Sequence, residues 1–170
     1  MLDQVQKPTR YTGGEMNTQL KPWDSAKLHF AFCFPDTYEV GMSHLGMKIL
    51  YAAMNQQPDM LCERAFMPWV DMMDLMKQEK VPLFTLESRS PLSAFDVVGF
   101  TLQYEMSYSN ILAMLELGGI PLLRENRREE DPIVVAGGPC AFNPEPLADF
   151  IDAFMVGDGE EQILDLNRVI

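Results

Sequence analysis

Four short apolar runs constrain the fold of this chain more strongly than any other feature of its sequence. Each run is followed by a turn that contains glycine, proline or an acidic residue, and the runs cover 28–34, 95–102, 132–136 and 151–156. A short apolar run without polar alternation is typical of a strand whose two faces are both buried, as in a parallel sheet. We therefore expect these segments to be parallel and central strands of one sheet.

The segments between the runs carry the three- and four-residue apolar spacing of amphipathic helices. Helices are predicted from Ser43 or His44 onwards, over 70–80, over 108–117 and from near Glu161. Gly118 and Gly119 follow the third of these helices and can supply its left-handed C-terminal residue. Weaker strand signals lie at 60–66, 83–86 and 120–123.

Strands that alternate with helices predict the fold class α/β. Right-handed crossovers then give a Rossmann-like or flavodoxin-like open, mostly parallel sheet with helices on both faces. Residues 28–170 form this domain, whereas residues 1–27, interrupted by prolines and glycines, are expected to be an irregular N-terminal arm. The last helix reaches Ile170 without a stop signal, so we expect the chain to be truncated before a further domain.

The charge of the chain disfavours nucleic acid as a partner. The formal net charge is −12 and the pI is near 4.4, whereas phosphate binding needs clustered lysine and arginine. Arg124, Arg127 and Arg128 precede a run of acidic residues and are interpreted as a solvated mixed-charge turn. Because the sequence has neither an apolar run of membrane-spanning length nor a signal segment, we expect a cytoplasmic protein without a membrane partner.

The loops that follow the strands are the candidate binding elements, since ligands of open α/β sheets bind beyond the carboxyl ends of the strands. These loops cover 36–46, 101–107, 137–143 and 157–161. Their glycines let the backbone lie against a ligand, and the helix N-termini offer free N–H groups. Each glycine pair by itself could be no more than a tight turn, but four such loops at one edge favour a binding site.

Several stretches of the sequence resemble, in their order and spacing, the landmarks of a known family. They are 35–46 with 49–51, 98–102, 135–139 and 152–161. The family is the cobalamin-binding N-terminal domain of radical S-adenosylmethionine (SAM) proteins. The residues of 38–46 and 136–146 are similar, more specifically, to those of a large uncharacterised bacterial subgroup of these proteins.

The resemblance implies that the loops hold a corrinoid, cobalamin, for methyl transfer or a related radical reaction by a downstream barrel of the same parent chain. Thr101 falls where the family often has a hydroxyl facing the cofactor tail, and Gly137 and Gly138 fall where the backbone passes beside it. A corrin is wide, flat and fringed with amides, so small residues, backbone donors and hydroxyls suit it better than charges. The cofactor-binding residues predicted in this way are Tyr38, Glu39, Val40, Gly41, Met42, Ser43, Thr101, Leu102, Gln103, Gly137, Gly138, Pro139, Gly157, Asp158, Gly159 and Glu160.

His44 departs from the pattern of cobalamin domains that use a histidine ligand. Those domains carry D-x-H-x-x-G, in which the histidine binds cobalt and the aspartate orients it, whereas His44 lies eight residues beyond Asp36. We therefore expect His44 to cap or pack against a helix, and a bound cobalt to have no histidine on its lower face. His29, flanked by strand residues, is interpreted as a core or edge histidine.

The cysteines exclude radical chemistry by this chain alone. The resemblance implies that SAM is activated by a [4Fe–4S] cluster held by the three thiolates of a C-x-x-x-C-x-x-C motif, which leave one iron open. No two of Cys33, Cys62 and Cys140 are closer than 29 residues, so they do not form such a motif. We expect no catalytic residue and no metal ligand here, and place the cluster and SAM in the downstream barrel. Cys140 is interpreted as a small buried thiol, and all the thiols as reduced.

Two other functions stay open at this point. The domain could keep the cobalamin-binding fold without the cofactor and serve as a packing platform for its barrel partner. It could instead be a flavodoxin-like or receiver-like module that binds a nucleotide or phosphate. Against the latter, Asp158 stands where a receiver needs lysine, and no glycine-rich loop ends in Lys-Ser or Lys-Thr.

Overall fold

The apolar runs of the sequence form the strands of one sheet. The computed structural model describes residues 1–169, and its sheet contains five strands, β1 (Leu28–Phe34), β2 (Met60–Phe66), β3 (Val97–Thr101), β4 (Ile133–Gly137) and β5 (Ala153–Met155). Their order is β2-β1-β3-β4-β5, and every neighbouring pair is parallel. The predicted α/β class with an open parallel sheet is confirmed.

Helices cover both faces of the sheet, as predicted. They are α1 (Tyr38–Gly41), α2 (Leu45–Gln56), α3 (Val70–Glu79), α4 (Tyr108–Leu117) and α5 (Gly159–Val169). The buried side chains of α2 and α5 cluster with Phe30 and Phe32 of β1, and those of α3 and α4 cluster with Val98 and Phe100 of β3. The alternation of side chains along each strand separates an α2/α5 face from an α3/α4 face. The predicted continuation of α5 through Ile170 lies outside the described residues.

The expectation that all four apolar runs are central strands is wrong for the last of them. β5 has three residues and lies at one edge of the sheet, and β2, which gave only a weak signal, lies at the other edge. An edge strand keeps an apolar sequence when a helix covers one of its faces. Here Met155 of β5 packs in the same cluster as Ile163 of α5.

The strand signal at 120–123 is also wrong, and the signal at 83–86 corresponds to one isolated antiparallel bridge, between Phe84 and Pro91. The Leu83 N–H bonds to the carbonyl of Leu117 at 2.8 Å, and the Ile120 N–H bonds to the carbonyl of Leu115 at 3.0 Å. Both segments contain or follow a proline, which lacks the N–H that a ladder needs. Leu83 and Ile120 are apolar because they fill the core beside the end of α4, where Gly119, at φ 73°, supplies the predicted left-handed residue.

Arg127 contradicts the interpretation of its turn as solvated. Its side chain is 5% exposed, and its guanidinium lies 2.8 Å from the Asp152 carboxylate. The same guanidinium donates to the carbonyls of Pro121, Leu122 and Phe150. A planar group with five donors can satisfy several backbone acceptors at once. Arg127 therefore fastens the connection after α4 to the start of β5, a role that a charge run in the sequence does not reveal.

The N-terminal arm, residues 1–27, contains three short 3-10 turns among its described elements, in keeping with its irregular sequence, but it is packed against the domain. Tyr11 is buried, and its hydroxyl accepts the N–H of Trp69 at 3.0 Å. Further along, Glu15 accepts from Arg64 at 2.9 Å. The Lys21 ammonium bonds to the carbonyl of Met60 at 2.7 Å. The arm thus runs around the outer side of β2 from one face of the sheet to the other.

Candidate functional site

A cavity of about 210 Å³ lies on the α2/α5 face, at the carboxyl ends of β1, β3, β4 and β5. Its apolar walls come from Phe32, Val135 and Met155 on the sheet side and from Met47, Leu50 and Ile163 on the helix side. The space exists because β3 and β4 place small residues on this face. The register pairs Thr101 with Gly137, so two small residues lie side by side where the two strands end.

The two small strand residues that floor the cavity are not equivalent. A Cβ on Gly99 would overlap the ring of Phe30, so this glycine lets an aromatic side chain lie flat on the neighbouring strand. A Cβ on Gly137 would meet Met155 at 3.5 Å, which is an ordinary contact. Gly99 is therefore required by packing, whereas the hydrogen atom of Gly137 leaves open space.

Glycines also form the mouth of the cavity. Gly138 and Gly157 have φ values of 109° and 118°, in the region that L side chains rarely adopt. A Cβ on Gly138 would come within 2.9 Å of the Leu102 carbonyl oxygen. The loops after β3 and β4 are tied there by a hydrogen bond from the Leu102 N–H to the Gly137 carbonyl, at 2.7 Å. At these positions the backbone itself, without side chains, faces the opening.

Few polar side chains line the cavity. The Gln103 amide donates a hydrogen bond to the Thr101 hydroxyl, which is almost fully buried. The other two are His44 and Glu160, and no lysine or arginine is among the described residues that line the space. The interior is therefore suited to an uncharged, largely apolar group, with hydrogen-bonding partners confined to the rim.

The structure brings together seven of the residues predicted from the sequence, and it separates the rest from the cavity. The seven that line it are Thr101, Gln103, Gly137, Gly138, Gly157, Gly159 and Glu160. Leu102 points into the core of the opposite α3/α4 face. Pro139 and Asp158 adjoin lining residues in the chain without lining the cavity themselves.

Residues 38–43 lie apart from the cavity because they form α1 and contact the arm. The Tyr38 hydroxyl donates to Glu15 at 2.7 Å, and Glu39 accepts from Arg10 at 2.9 Å. Val40 is exposed, and its carbonyl accepts a hydrogen bond from the Ser43 hydroxyl. Met42 is half-buried. Gly41 lies against the rings of Phe34 and Phe66. The short helix was not anticipated from the sequence, which suggested a glycine-containing loop.

The crevice between β1 and β3 is where the direction of strand addition reverses, and such positions commonly bind ligands in doubly wound sheets. In this chain it is bridged by hydrogen bonds. The Tyr104 hydroxyl donates to Asp36 at 2.7 Å, a bond that raises the pKa of Tyr104. The Asn110 amide donates to the Pro35 carbonyl at 2.9 Å. The open space lies to one side of this bridge, beneath α2 and α5.

Sequence reasoning missed most of the walls of the cavity. Phe30, Phe32, Met47, Leu50, Gly99, Val135, Met155 and Ile163 were seen only as strand or helix core residues. One signal was present: Gly99 and Thr101 occupy alternate positions in an otherwise bulky apolar strand, which places both on one face. Together with Gly137 on the next strand, they mark the part of that face where the side chains of the sheet are small.

The cysteines take no part in this site. Cys33 and Cys62 are buried, and burial raises the pKa of both thiols. Cys140 is half-buried beside the mouth, so the interpretation of a fully buried thiol holds only in part. Within residues 1–169, no group of three or more potential ligands among His, Cys, Asp and Glu is placed to hold a metal ion. Across the same residues, no helix has the length and apolar character to span a membrane.

Comparison with known families identifies the type of domain to which these features belong. A family model described as the N-terminal region of radical SAM proteins matches residues 46–170. The chain belongs to this family. The match includes the strands β2 to β5 and the glycine loops at 137–138 and 157–159, and it begins after α1. This radical SAM N-terminal domain therefore carries its cavity almost entirely within the region that defines the family.

A relative shows the same region within a longer protein. An uncharacterised protein of Methanocaldococcus jannaschii is 29% identical over 131 residues, a stretch that covers 76% of this chain and 24% of that protein. The chain thus spans about a quarter of the length of the curated relative that it matches. No solved structure matches the chain significantly.

Proposed function

We propose that this radical SAM N-terminal domain binds a corrinoid, cobalamin, at the carboxyl edge of its sheet and presents it to a downstream barrel of the same parent protein. The observation that carries the proposal is the apolar cavity between the sheet and the helices α2 and α5, whose mouth is formed by glycine backbone. The family match supports the association with radical SAM proteins. Corrinoid binding is our inference from the resemblance of the sequence motifs, and the shape and chemistry of the cavity support it.

The size of the cavity indicates which part of a corrinoid it accepts. Pockets that enclose a whole drug-sized ligand measure roughly 300–1,000 Å³, whereas this one measures about 210 Å³. It suits a single flat ring system, such as the uncharged aromatic base at the end of the nucleotide tail. The much wider corrin ring would then lie outside, over the loops.

The residues at the mouth fit the middle of the tail. Gly137, Gly138 and Gly157 would let a sugar and phosphate pass close to the backbone. The first turn of α5 offers free N–H groups to a phosphodiester, which partly offsets the absence of lysine and arginine from the lining. Glu160 at the rim opposes a free dianion such as inorganic phosphate more strongly than a singly charged diester, which favours the corrinoid over a small phosphate ligand.

Apolar side chains outside the cavity support the position of the ring. Met106 and Phe142 are 86% and 71% exposed, and Tyr104 and Val156 are also exposed. They lie on loops that follow β3, β4 and β5, so they share the edge at which the cavity opens. Exposed apolar residues grouped at one edge mark a surface that is covered in use. A corrin ring and the barrel that it faces would cover these residues.

The residues of this chain suggest which cofactor would bind to this domain and which would bind to the barrel. A bound corrinoid would supply a carrier for a methyl group. The [4Fe–4S] cluster and SAM would belong to the downstream barrel, since Cys33 and Cys62 are buried in the cores on opposite faces of the sheet and neither lines the cavity. Residues 1–170 by themselves should show no SAM cleavage and should assemble no iron–sulfur cluster, which anaerobic reconstitution with iron and sulfide analysis would check.

The test of binding is a titration of the purified chain with hydroxocobalamin, followed by the visible spectrum and by co-elution in gel filtration. We expect stoichiometric retention, with a spectrum that shows displacement of the cofactor's own base from cobalt. Gly137→Leu should abolish retention because its side chain enters the cavity, whereas Gly137→Ala, whose methyl group makes only ordinary contacts, should retain it. Both variants should unfold cooperatively.

Three outcomes would contradict the proposal. Failure of the folded wild-type chain to retain cobalamin would favour a packing platform that has kept the fold alone. Equal retention by Gly137→Leu and the wild type would place the ligand outside the cavity. Retention of flavin mononucleotide in place of cobalamin would indicate a flavodoxin-like nucleotide site.

A further inference from the structure

His44 caps the helix that roofs the cavity. It precedes α2, and its Nδ1 atom accepts the backbone N–H of Met47 at 3.1 Å. A ring nitrogen that accepts a hydrogen bond carries a lone pair, so the proton of the neutral imidazole must be on the other nitrogen. The cap therefore selects the tautomer with hydrogen on Nε2.

The imidazole of His44 is held at the mouth of the cavity. It contacts Phe34, with ring centroids 5.3 Å apart, and a Cβ on Gly46 would come within 3.0 Å of its Cε1 atom. Both His44 and Gly46 line the cavity. Within residues 1–169, the hydrogen bond of the His44 ring to the protein is made by Nδ1. Since none of these residues has a buried side-chain nitrogen without a partner, Nε2 is accessible to solvent and to a ligand. The neutral ring thus offers a positioned N–H group at the mouth of the cavity.

We infer that His44 binds the cavity ligand as a hydrogen-bond donor, through Nε2–H to a carbonyl or phosphoryl oxygen, and does not bind cobalt. This inference rests on the proposed function for the identity of the ligand. Cobalt would need a lone pair on Nε2, and that tautomer would place hydrogen on Nδ1 against the Met47 N–H and break the cap. The two candidate acceptors are a corrin side-chain amide and the phosphate of the nucleotide tail.

The tautomer can be measured without any ligand. Long-range nitrogen–proton NMR correlation on the full chain, at a pH where His44 is neutral, should show its proton on Nε2. His29, the second histidine, is an internal comparison: its Nδ1 lies 2.9 Å from Asp96 and its Nε2 lies 3.1 Å from the Trp23 carbonyl, so acceptors flank both nitrogens. A proton on Nδ1 of neutral His44 would overturn the inference whether or not the chain binds cobalamin.

The contribution to binding is tested with a pair of variants. His44→Ser keeps a capping oxygen but cannot reach the cavity, and His44→Ala removes both groups. We expect His44→Ser to retain the thermal midpoint of the wild type and to bind cobalamin roughly three- to ten-fold more weakly, the range for one neutral hydrogen bond. His44→Ala should lose stability as well as affinity.

Cobinamide, which lacks the nucleotide tail, distinguishes the two acceptors. If His44→Ser weakens binding of cobinamide and cobalamin equally, the acceptor is a corrin amide; if it weakens only cobalamin, the acceptor is the phosphate. Unchanged affinity for both ligands would refute the inference. So would nitrogen superhyperfine splitting in the electron paramagnetic resonance spectrum of the Co(II) form that disappears in His44→Ser. If the wild type binds neither ligand, the proposed function fails and the NMR result alone decides the tautomer.

Discussion

The two faces of the sheet differ in how completely they are filled. On the α3/α4 face, Phe100, Met72, Met76 and Met114 are almost fully buried, and a pocket between α3 and the arm measures only about 20 Å³. A space of about 410 Å³ at the ends of α3 and α4 is a surface groove beside the exposed side chains of Lys77, Lys80 and Glu116, outside this core. On the α2/α5 face, the cavity measures about 210 Å³. The difference comes from the strands, because β3 presents Val98 and Phe100 to one face and Gly99 and Thr101 to the other. One strand thus contributes a dense core and a hollow through alternate residues.

Dense packing is the usual state of a protein interior, so the hollow requires an explanation. The residues that line it lack the van der Waals contacts that larger side chains on β3 and β4 would provide. The α3/α4 face provides stability, and the α2/α5 face provides space. This division is what the following predictions test, starting with the largest expected change in the free energy of unfolding.

The first prediction compares one phenylalanine from each face. Phe100→Ala should lower the free energy of unfolding by about 3–5 kcal/mol, the usual cost of truncating a fully packed phenylalanine. Phe32→Ala should cost at least about 1 kcal/mol less, because Phe32 packs in the α2/α5 cluster, where the cavity leaves it fewer packing partners to lose. Phe100 also adjoins the cavity, but it packs in the α3/α4 cluster. Urea unfolding of both variants measures the difference. Equal costs would show that the two faces are packed alike.

The second prediction compares the glycines of the cavity floor. Gly99→Ala should cost about 1–3 kcal/mol, because its methyl group overlaps Phe30 and must displace it. Gly137→Ala should be neutral or stabilising by up to about 1 kcal/mol, because the methyl group fits and the unfolded chain loses freedom. Thermal and urea unfolding give both values. A stable Gly99→Ala variant would mean that Phe30 can move and that the floor is not fixed.

The third prediction concerns Glu15, in the arm that joins the two faces. Burial by itself raises the pKa of Glu15, but the hydrogen bond from Tyr38 and the charge and hydrogen bond of Arg64 lower it to about 2. Because this folded-state pKa lies below the usual value of 4.5, Glu15 contributes its full stabilisation above about pH 4.5 and loses it as the pH falls through about 2. Glu15→Gln should cost about 1.5 kcal/mol near neutral pH, at the low end for a charged hydrogen bond, since the side chain is 20% exposed.

Urea unfolding between pH 2 and 7 measures this dependence. The difference between wild type and Glu15→Gln should shrink below pH 4.5 and nearly vanish near pH 2. Glu39→Gln is the control, because Glu39 also pairs with an arginine but has a largely exposed side chain, and exposed pairs contribute little. A pH-independent difference for Glu15→Gln would mean that its carboxylate does not hold the arm.

The smallest effect is expected for Thr101→Val at the mouth of the cavity. The change keeps the shape of the side chain and removes the acceptor of the Gln103 amide. Since Gln103 is only partly buried and can bond to water, the cost in unfolding free energy should stay below about 1 kcal/mol. Calorimetry of the wild type and the variant makes the comparison. A larger loss would show that this polar pair stabilises the fold, and the contrast between a stabilising face and a binding face would weaken.

The strand and helix positions could be predicted because they depend on local patterns. The bounds of β1 were predicted to the residue, and α4 was predicted over its observed length, since apolar runs and helical spacing are visible in a single stretch of chain. Predictions failed where a residue is apolar or charged for a non-local reason. Leu83 and Ile120 fill space beside α4, Arg127 binds carbonyls distant in sequence, and β5 gains its apolar cover from α5.

The sequence by itself determined that the chain is an α/β domain whose glycine loops meet at one edge, because the alternation of strands with helices and the chemistry of the turns are visible in the linear sequence. Only the tertiary structure decided where the space lies. The register of β3 against β4 sets Thr101 beside Gly137, and α2 and α5 stand over them without filling the gap. It also placed residues 38–43 against the arm and turned Nδ1 of His44 to the Met47 N–H. A cavity and a tautomer depend on distances between segments far apart in the chain, and a linear pattern does not contain those distances.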